Sequence, residues 1–287
     1  MHNFRTDYFI GFLLLGVLFF SCSKEKFEAT VPAYISIDKI DFTTNYATEG
    51  SASSNIPDAW VYLDDDLVGV YELPATFPVL KTGNRELKIY GGIKDNGIAA
   101  SRARYLLYDP YVLQLDLQPE GVYKIEPTIT YNPDVKFTWL EDFENASLSF
   151  LYHSFSDTVV FKQTSDVKEG SVSGGIYLES NMDFFEATSV AYTNLPQNGS
   201  VVYFEMDFKT NEPIWVGIYD DEDQYKKVKL NVKDDWTKIY INLTDLVNAR
   251  TTSNEIKVFF GMASTTQAPF VSSNPTVYID NLKLVHY

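Results

Sequence analysis

VVYFEMDFKTNEPIWVGIYD, residues 201–220, decides the fold. Val202, Phe204, Met206 and Phe208 alternate with Tyr203, Glu205 and Asp207, and Ile214, Val216 and Ile218 alternate with Trp215 and Tyr219. A period of two is that of a β-strand with one face on a core. The first set of each run is expected inside, and Tyr203, Glu205, Asp207, Trp215 and Tyr219 on the opposite face. The same alternation turns Lys227 and Lys229, Lys238 and Tyr240, and Lys257 and Phe259 outward.

Outward from this stretch the pattern persists. Runs of Val, Ile, Tyr and Phe are separated by Gly, Asn, Asp and Pro clusters, and few segments show helical spacing. The 20 Phe and 20 Tyr of the 287-residue chain favour strands over helices. An all-β chain is the expectation. Strand-like sequence gives way to turn residues at Tyr131-Asn132-Pro133-Asp134, which places a domain boundary there. Four segments result: a leader 1–21, a tether 22–33, a first β-sandwich 34–133 and a second 134–287.

Composition limits the chemistry. With 39 acidic and 23 basic side chains the formal net charge is -16, which repels phosphate backbones and argues against nucleic acid as a partner. One cysteine excludes a disulfide framework and a cysteine zinc site. Beyond the leader only His153 and His286 remain, with no Gly-x-Ser-x-Gly elbow and no Gly-rich phosphate loop. Carboxylates are plentiful, but none stands in a recognisable catalytic motif, so the expectation is a protein that is not an enzyme and needs no catalytic cofactor.

The leader carries Arg5 before the apolar run Phe9–Phe20, too short for a hydrocarbon core of about 30 Å and fitting a secretory signal peptide. Ser21-Cys22 follows. This resembles the lipobox of bacterial lipoproteins, in the looser form seen in Bacteroidota, and implies that Cys22 is acylated and anchors the chain to a membrane. Ser23-Lys24-Glu25-Lys26-Phe27-Glu28 resembles in part the acidic export signal of surface lipoproteins; the two lysines depart from it. The implied location is the outer membrane at the cell surface, with a periplasm-facing anchor as the alternative.

In the first sandwich, AWVYLDDDLVGVYELPATFPVLKTGNRELKIYG, residues 59–91, resembles the PEGA module, an immunoglobulin-like sandwich, through Val61, Leu63, Val68-Gly69, Leu73-Pro74, Gly83, Leu87 and Ile89. The resemblance implies a spacer or docking unit. Asp64-Asp65-Asp66 reads as a solvated hairpin tip, with a calcium ligand set as the alternative.

The second sandwich opens on Trp139-Leu140-Glu141-Asp142-Phe143-Glu144 and closes on Val277-Tyr278-Ile279-Asp280-Asn281-Leu282-Lys283-Leu284. That order of strands resembles the jelly-roll sandwiches of the carbohydrate-binding-module and galactose-binding-like group. The resemblance implies a structural calcium between the first and last strands, with Asp142, Glu144 and Asp280 as its carboxylates. The outward row Tyr203, Trp215, Tyr219, Tyr240 and Phe259 is a candidate face for a ligand or partner. A loop or the first domain could equally cover it, and cross-strand pairs also stabilise ordinary solvent-facing sheets. The first reading of function is an accessory subunit of an outer-membrane barrel complex in nutrient uptake, secretion or barrel assembly. The alternative is a surface glycan-binding lipoprotein using the aromatic face.

Overall fold

The computed structural model describes residues 31–250 and 255–287. The leader, Cys22 and most of the tether lie outside them. Among the described residues no helix is long and apolar enough to cross a membrane.

The first unit runs through β1 (Ala33–Ile37), β2 (Asp41–Phe42), one helical turn α1 (Tyr46–Glu49), β3 (Asp58–Leu63), β4 (Asp66–Glu72) and β5 (Ala75–Val79). It continues with β6 (Gly83–Lys94), β7 (Arg102–Arg104), β8 (Tyr111–Leu117), β9 (Val122–Ile125) and β10 (Thr128–Ile129). One sheet has the order β5-β1-β9, a second has the order β4-β3-β6-β7 with β8 also on β6, and β10 pairs with β2. Ile35, Ile37, Phe77 and Val79 of the first sheet share a core with Val61, Leu63, Leu87 and Ile89 of the second. The sandwich forms because its central strands bury alternate residues, as β1 does with Ala33, Ile35 and Ile37.

The β3–β4 hairpin turns through Asp64 and Asp65, both at positive φ (52° and 65°). This is the handedness that a two-residue hairpin requires, and aspartate tolerates it better than most residues. The three aspartates of the tip are neutralised by cations: Lys81 meets Asp66 at 2.6 Å, Arg85 meets Asp64 at 3.2 Å and Lys88 meets Asp65 at 2.7 Å.

The second unit contains β11 (Lys136–Glu141), β12 (Leu151–Tyr152), β13 (Phe161–Gln163), β14 (Ser173–Tyr177), β15 (Phe184–Thr188) and β16 (Val202–Thr210). Then come β17 (Ile214–Asp220), β18 (Asp223–Leu230), β19 (Lys233–Asn242), the short helix α2 (Thr244–Asn248), β20 (Ile256–Ala263) and β21 (Thr276–His286). Six strands form one sheet, β13-β14-β21-β16-β19 with β11 beside β21, and five form the other, β12-β15-β20-β17-β18. From β14 onward the chain changes sheet at every connection except the β17–β18 hairpin, which is jelly-roll winding. All pairings in both sheets are antiparallel.

Between these sheets lies the larger core. Phe204 stacks on Trp139 at 5.7 Å and meets Phe260 edge-on at 5.4 Å. Val202, Met206, Phe208, Ile214, Val216 and Ile218 point into the same core, as the alternation of residues 201–220 requires. Burying one such aliphatic or aromatic side chain contributes about 1.5–3 kcal/mol.

The two units are fused. β16 is buried on both faces, its alternate polar residues Glu205 and Asp207 included. The reason is that the first unit lies against the outer face of the six-stranded sheet. Tyr203, Tyr240 and Val285 of the second unit pack into the core of the first. The backbone joins in: Asn96 N donates to the Tyr240 carbonyl at 2.9 Å, and Asn242 N donates to Asn96 Oδ1 at 2.9 Å.

Candidate functional site

A two-sheet sandwich has two outer faces. Here they differ completely, because one is covered by the first unit and the other is open.

On the covered face, Glu205 is fully buried and is the centre of a polar network. Its Oε1 accepts from the Tyr105 hydroxyl at 2.6 Å and from Tyr131 at 2.9 Å, and its Oε2 lies 3.2 Å from Lys238 Nζ. Lys283 Nζ donates to the Ser51 carbonyl at 2.6 Å. Burial pushes the Lys283 ammonium down to about 7. Tyr240 shares a hydrogen bond with the Tyr108 hydroxyl at 3.1 Å and accepts from Asn55 N at 3.0 Å. The Tyr203 ring meets Tyr105 edge-on at 4.8 Å.

These contacts correct the exposed row expected from the sequence. Tyr203 and Tyr240 do point away from the jelly-roll core, as the pleat dictates, but they are 5% and 1% exposed because the first unit covers them. They belong to the junction and not to a solvent-facing platform. Lys238 is buried there with them.

The open face is the outer side of the five-stranded sheet. Cross-strand register lines up Lys229, Trp215, Gly261 and Glu186 across β18, β17, β20 and β15. Gly261 has no side chain to fill the space between Trp215 and Glu186. A shallow depression of about 80 Å³ therefore opens there, lined by Phe184, Glu186, Trp215, Gln224 and Lys226 among others. Two ammonium groups flank the indole, Lys226 Nζ at 5.3 Å and Lys229 Nζ at 5.9 Å from the ring centroid.

Beside the indole is a braced polar group. The Tyr219 hydroxyl donates to Glu186 Oε1 at 2.6 Å, and Gln224 Nε2 donates to Glu186 Oε2 at 2.6 Å and to the Tyr219 oxygen at 3.0 Å. Burial first, and the bond to Glu186 second, hold the Tyr219 phenol above its ordinary range, so it stays a neutral donor. Phe259 forms the floor: it is 1% exposed and meets Tyr219 edge-on at 5.6 Å. Its expected place on the outward side is right, but its ring is covered and offers no platform. Of the expected aromatic row, Trp215 and Tyr219 therefore remain on the open face.

Glu186, Gln224 and Lys226 belong to this site and were missed from the sequence. In Phe184-Phe185-Glu186-Ala187 two adjacent aromatics blur the alternation, and the register that brings β15 and β18 beside β17 is not local information.

Asp142, Glu144 and Asp280 have other engagements. Asp142 Oδ2 accepts from the Tyr46 hydroxyl at 2.9 Å, and Glu144 Oε1 accepts from Ser171 N at 2.7 Å and Val172 N at 2.9 Å. Asp280 accepts from Lys168 N and Glu169 N at 3.2 Å each and from Asn281 N at 2.9 Å. Burial lifts its carboxyl to about 7. Glu144 and Asp280 thus clamp the 168–172 loop through its amides. Among the described residues no three His, Cys, Asp or Glu side chains converge as a metal site.

No protein-family model matches the chain, and no curated protein does. Among solved structures, a carbohydrate-binding module in complex with beta-1,4-galactotriose is 14% identical, with 51% of this chain and 94% of that one covered at a TM-score of 0.35. The family 11 carbohydrate-binding module from Clostridium thermocellum, solved with a beta-1,3-1,4-mixed-linked tetrasaccharide, is 12% identical over 52% of this chain and 94% of its own, TM-score 0.35. An exo-beta-agarase is 12% identical over 50% of this chain and 24% of its own, TM-score 0.37. The architecture described above rests on the strand pairing itself.

Proposed function

We propose that this protein is a non-catalytic glycan-binding protein, held at the outer membrane by an acylated Cys22, that lays a saccharide on the open face of the five-stranded sheet. One observation carries the reading: that face presents the part-exposed Trp215 indole and Tyr219 phenol, the latter braced by Gln224 and the buried Glu186, with a depression at Gly261. A sugar ring has an apolar face that suits an indole and hydroxyls that suit carboxylate, phenol and amide groups. The depression is shallow and bordered by carboxylate, carboxamide and ammonium groups, so it suits an extended chain lying across it better than a small molecule enclosed by it.

The burial of Tyr203 and Tyr240 also bears on the barrel-complex reading. It leaves Trp215 and Tyr219 as the open-face aromatics of the expected row, with the hydrogen-bonding groups of Glu186 and Gln224 beside Tyr219. The glycan reading is preferred on that ground.

Calorimetric titration of the full chain against neutral gluco-, galacto-, xylo- and manno-oligosaccharides tests it. Binding by the wild type, lost in Trp215→Ala with an unchanged circular dichroism spectrum, is the expected result. A wild type that binds none of them, or a Trp215→Ala variant with undiminished affinity, would remove the assignment.

A further inference from the structure

A cleft of about 590 Å³ lies between the two units, where the loop after β6 meets β18 and β19. That volume is in the range of small-ligand sites. Its wall carries Lys94, Lys227, Lys229, Lys233 and Lys238 and not one aspartate or glutamate. In a chain with 39 acidic against 23 basic side chains this concentration of one sign runs against the composition. Among the described residues, Lys94, Lys227, Lys229 and Lys233 form no ion pair. Four like charges gathered without counter-charges repel one another, and an anion among them relieves that repulsion.

Lys238 belongs to the junction behind this wall. Its side chain is 2% exposed and its Nζ lies 3.2 Å from Glu205 Oε2. Its charge is therefore met inside the junction, and the four other lysines are the ones left to the cleft. The Glu205 oxygens already accept from Tyr105 and Tyr131. Asn55, Asn96 and Asn231 on the same wall supply amide groups that can meet hydroxyls.

The cleft also adjoins the open face. Lys229 lines it and at the same time holds its Nζ 5.9 Å from the Trp215 ring. We propose that the cleft receives an anionic sugar unit, carrying a carboxylate or a sulfate ester, of a saccharide whose neighbouring unit lies on Trp215. The inference rests on the glycan reading above and adds the charge class of the ligand.

The test is calorimetry on the full chain at low salt with three probes of matched length: a neutral galacto-oligosaccharide, an oligogalacturonate and a sulfated galactan oligosaccharide. The variants are Lys227→Gln with Lys233→Gln, both outside the junction network, and Trp215→Ala. One of the acidic probes is expected to bind about tenfold more tightly than the neutral one, the worth of one charge-assisted contact. The double lysine variant should lose that advantage and keep neutral binding within about twofold, and added salt should act in the same direction. Which acidic probe is preferred identifies the group. Acidic probes bound no better than the neutral one, or an advantage that survives the lysine substitutions, would overturn the inference while leaving the Trp215 face standing. Absence of binding by all three probes would remove both.

Discussion

Glu205→Leu is the perturbation that probes the junction most directly. The carboxylate is fully buried, accepts two tyrosine hydroxyls and lies 3.2 Å from a lysine that is itself 2% exposed. Removing one partner of a buried ion pair costs roughly 3–5 kcal/mol, because the other charge is left without compensation. Each phenol that loses its acceptor adds about 1–3 kcal/mol where no water can replace it. These terms share the same atoms and do not simply add, so about 5 kcal/mol is the expected loss. That is a large part of a typical stability of about 5–15 kcal/mol, and at about 2–4 °C per kcal/mol it lowers the melting midpoint by about 10–20 °C. The double variant Glu205→Leu with Lys238→Met removes both charges and should recover at least half of the loss. Urea unfolding followed by tryptophan fluorescence, together with calorimetry, measures both. A single-variant loss below about 1 kcal/mol would refute the reasoning, as would a double variant no more stable than the single.

Three further outcomes are expected. Because burial raises the Asp280 carboxyl to about 7, the folded chain holds a proton between about pH 4 and 7 that the unfolded chain has released. Its contribution to stability is complete below about pH 4 and is lost as the pH rises through 7; Asp280→Asn should flatten that part of a melting-point-against-pH curve. Gly217→Ala would drive a Cβ into the Tyr225 carbonyl oxygen and to 2.7 Å from the Phe259 ring, so a loss of about 3 kcal/mol or poor expression is expected, read by thermal denaturation. Phe204→Ala empties the space between Trp139 and Phe260 and should cost about 3–5 kcal/mol in chemical denaturation.

What the sequence made legible follows the range of the interactions. The hairpin around Asp64 and Asp65 could be read because turn chemistry is local, and so could the inward residues of β16 and β17, because a period of two belongs to the strand itself. The short strands β12 and β13 could not: Leu151–Tyr152 and Phe161–Gln163 are held by pairing with β15 and β14 rather than by any alternation of their own. The burial of Tyr203 and Tyr240 was equally out of reach. Alternation says which side of the jelly roll a residue occupies, but not whether another unit covers that side. A trace of the answer is nevertheless present. Glu205 and Asp207 fall opposite Tyr240 and Lys238 in the register, and opposite charges with tyrosines on a supposedly solvated face could equally be the inventory of a polar interface.

The two outer faces of the jelly roll can be compared group by group, and the comparison explains why binding is assigned to one of them. On the covered side the tyrosine hydroxyls, Glu205 and Lys283 mostly satisfy one another, and the first unit excludes an outside partner. On the open side the polar groups are only partly used. Glu186, Tyr219 and Gln224 fix one another's rotamers, yet a carboxylate and a phenol oxygen keep further lone pairs, while Trp215 has two ammonium groups over its ring instead of a packed neighbour unit. Side chains that are already immobilised lose little entropy when a ligand arrives, so such a face can hold a weakly enclosed chain without closing around it. The lysine cleft extends the same logic around the sheet edge. Lys94, Lys227, Lys229 and Lys233 line it with no carboxylate among the lining residues, so the proposed anionic unit would supply the counter-charge there, beside the Trp215 face.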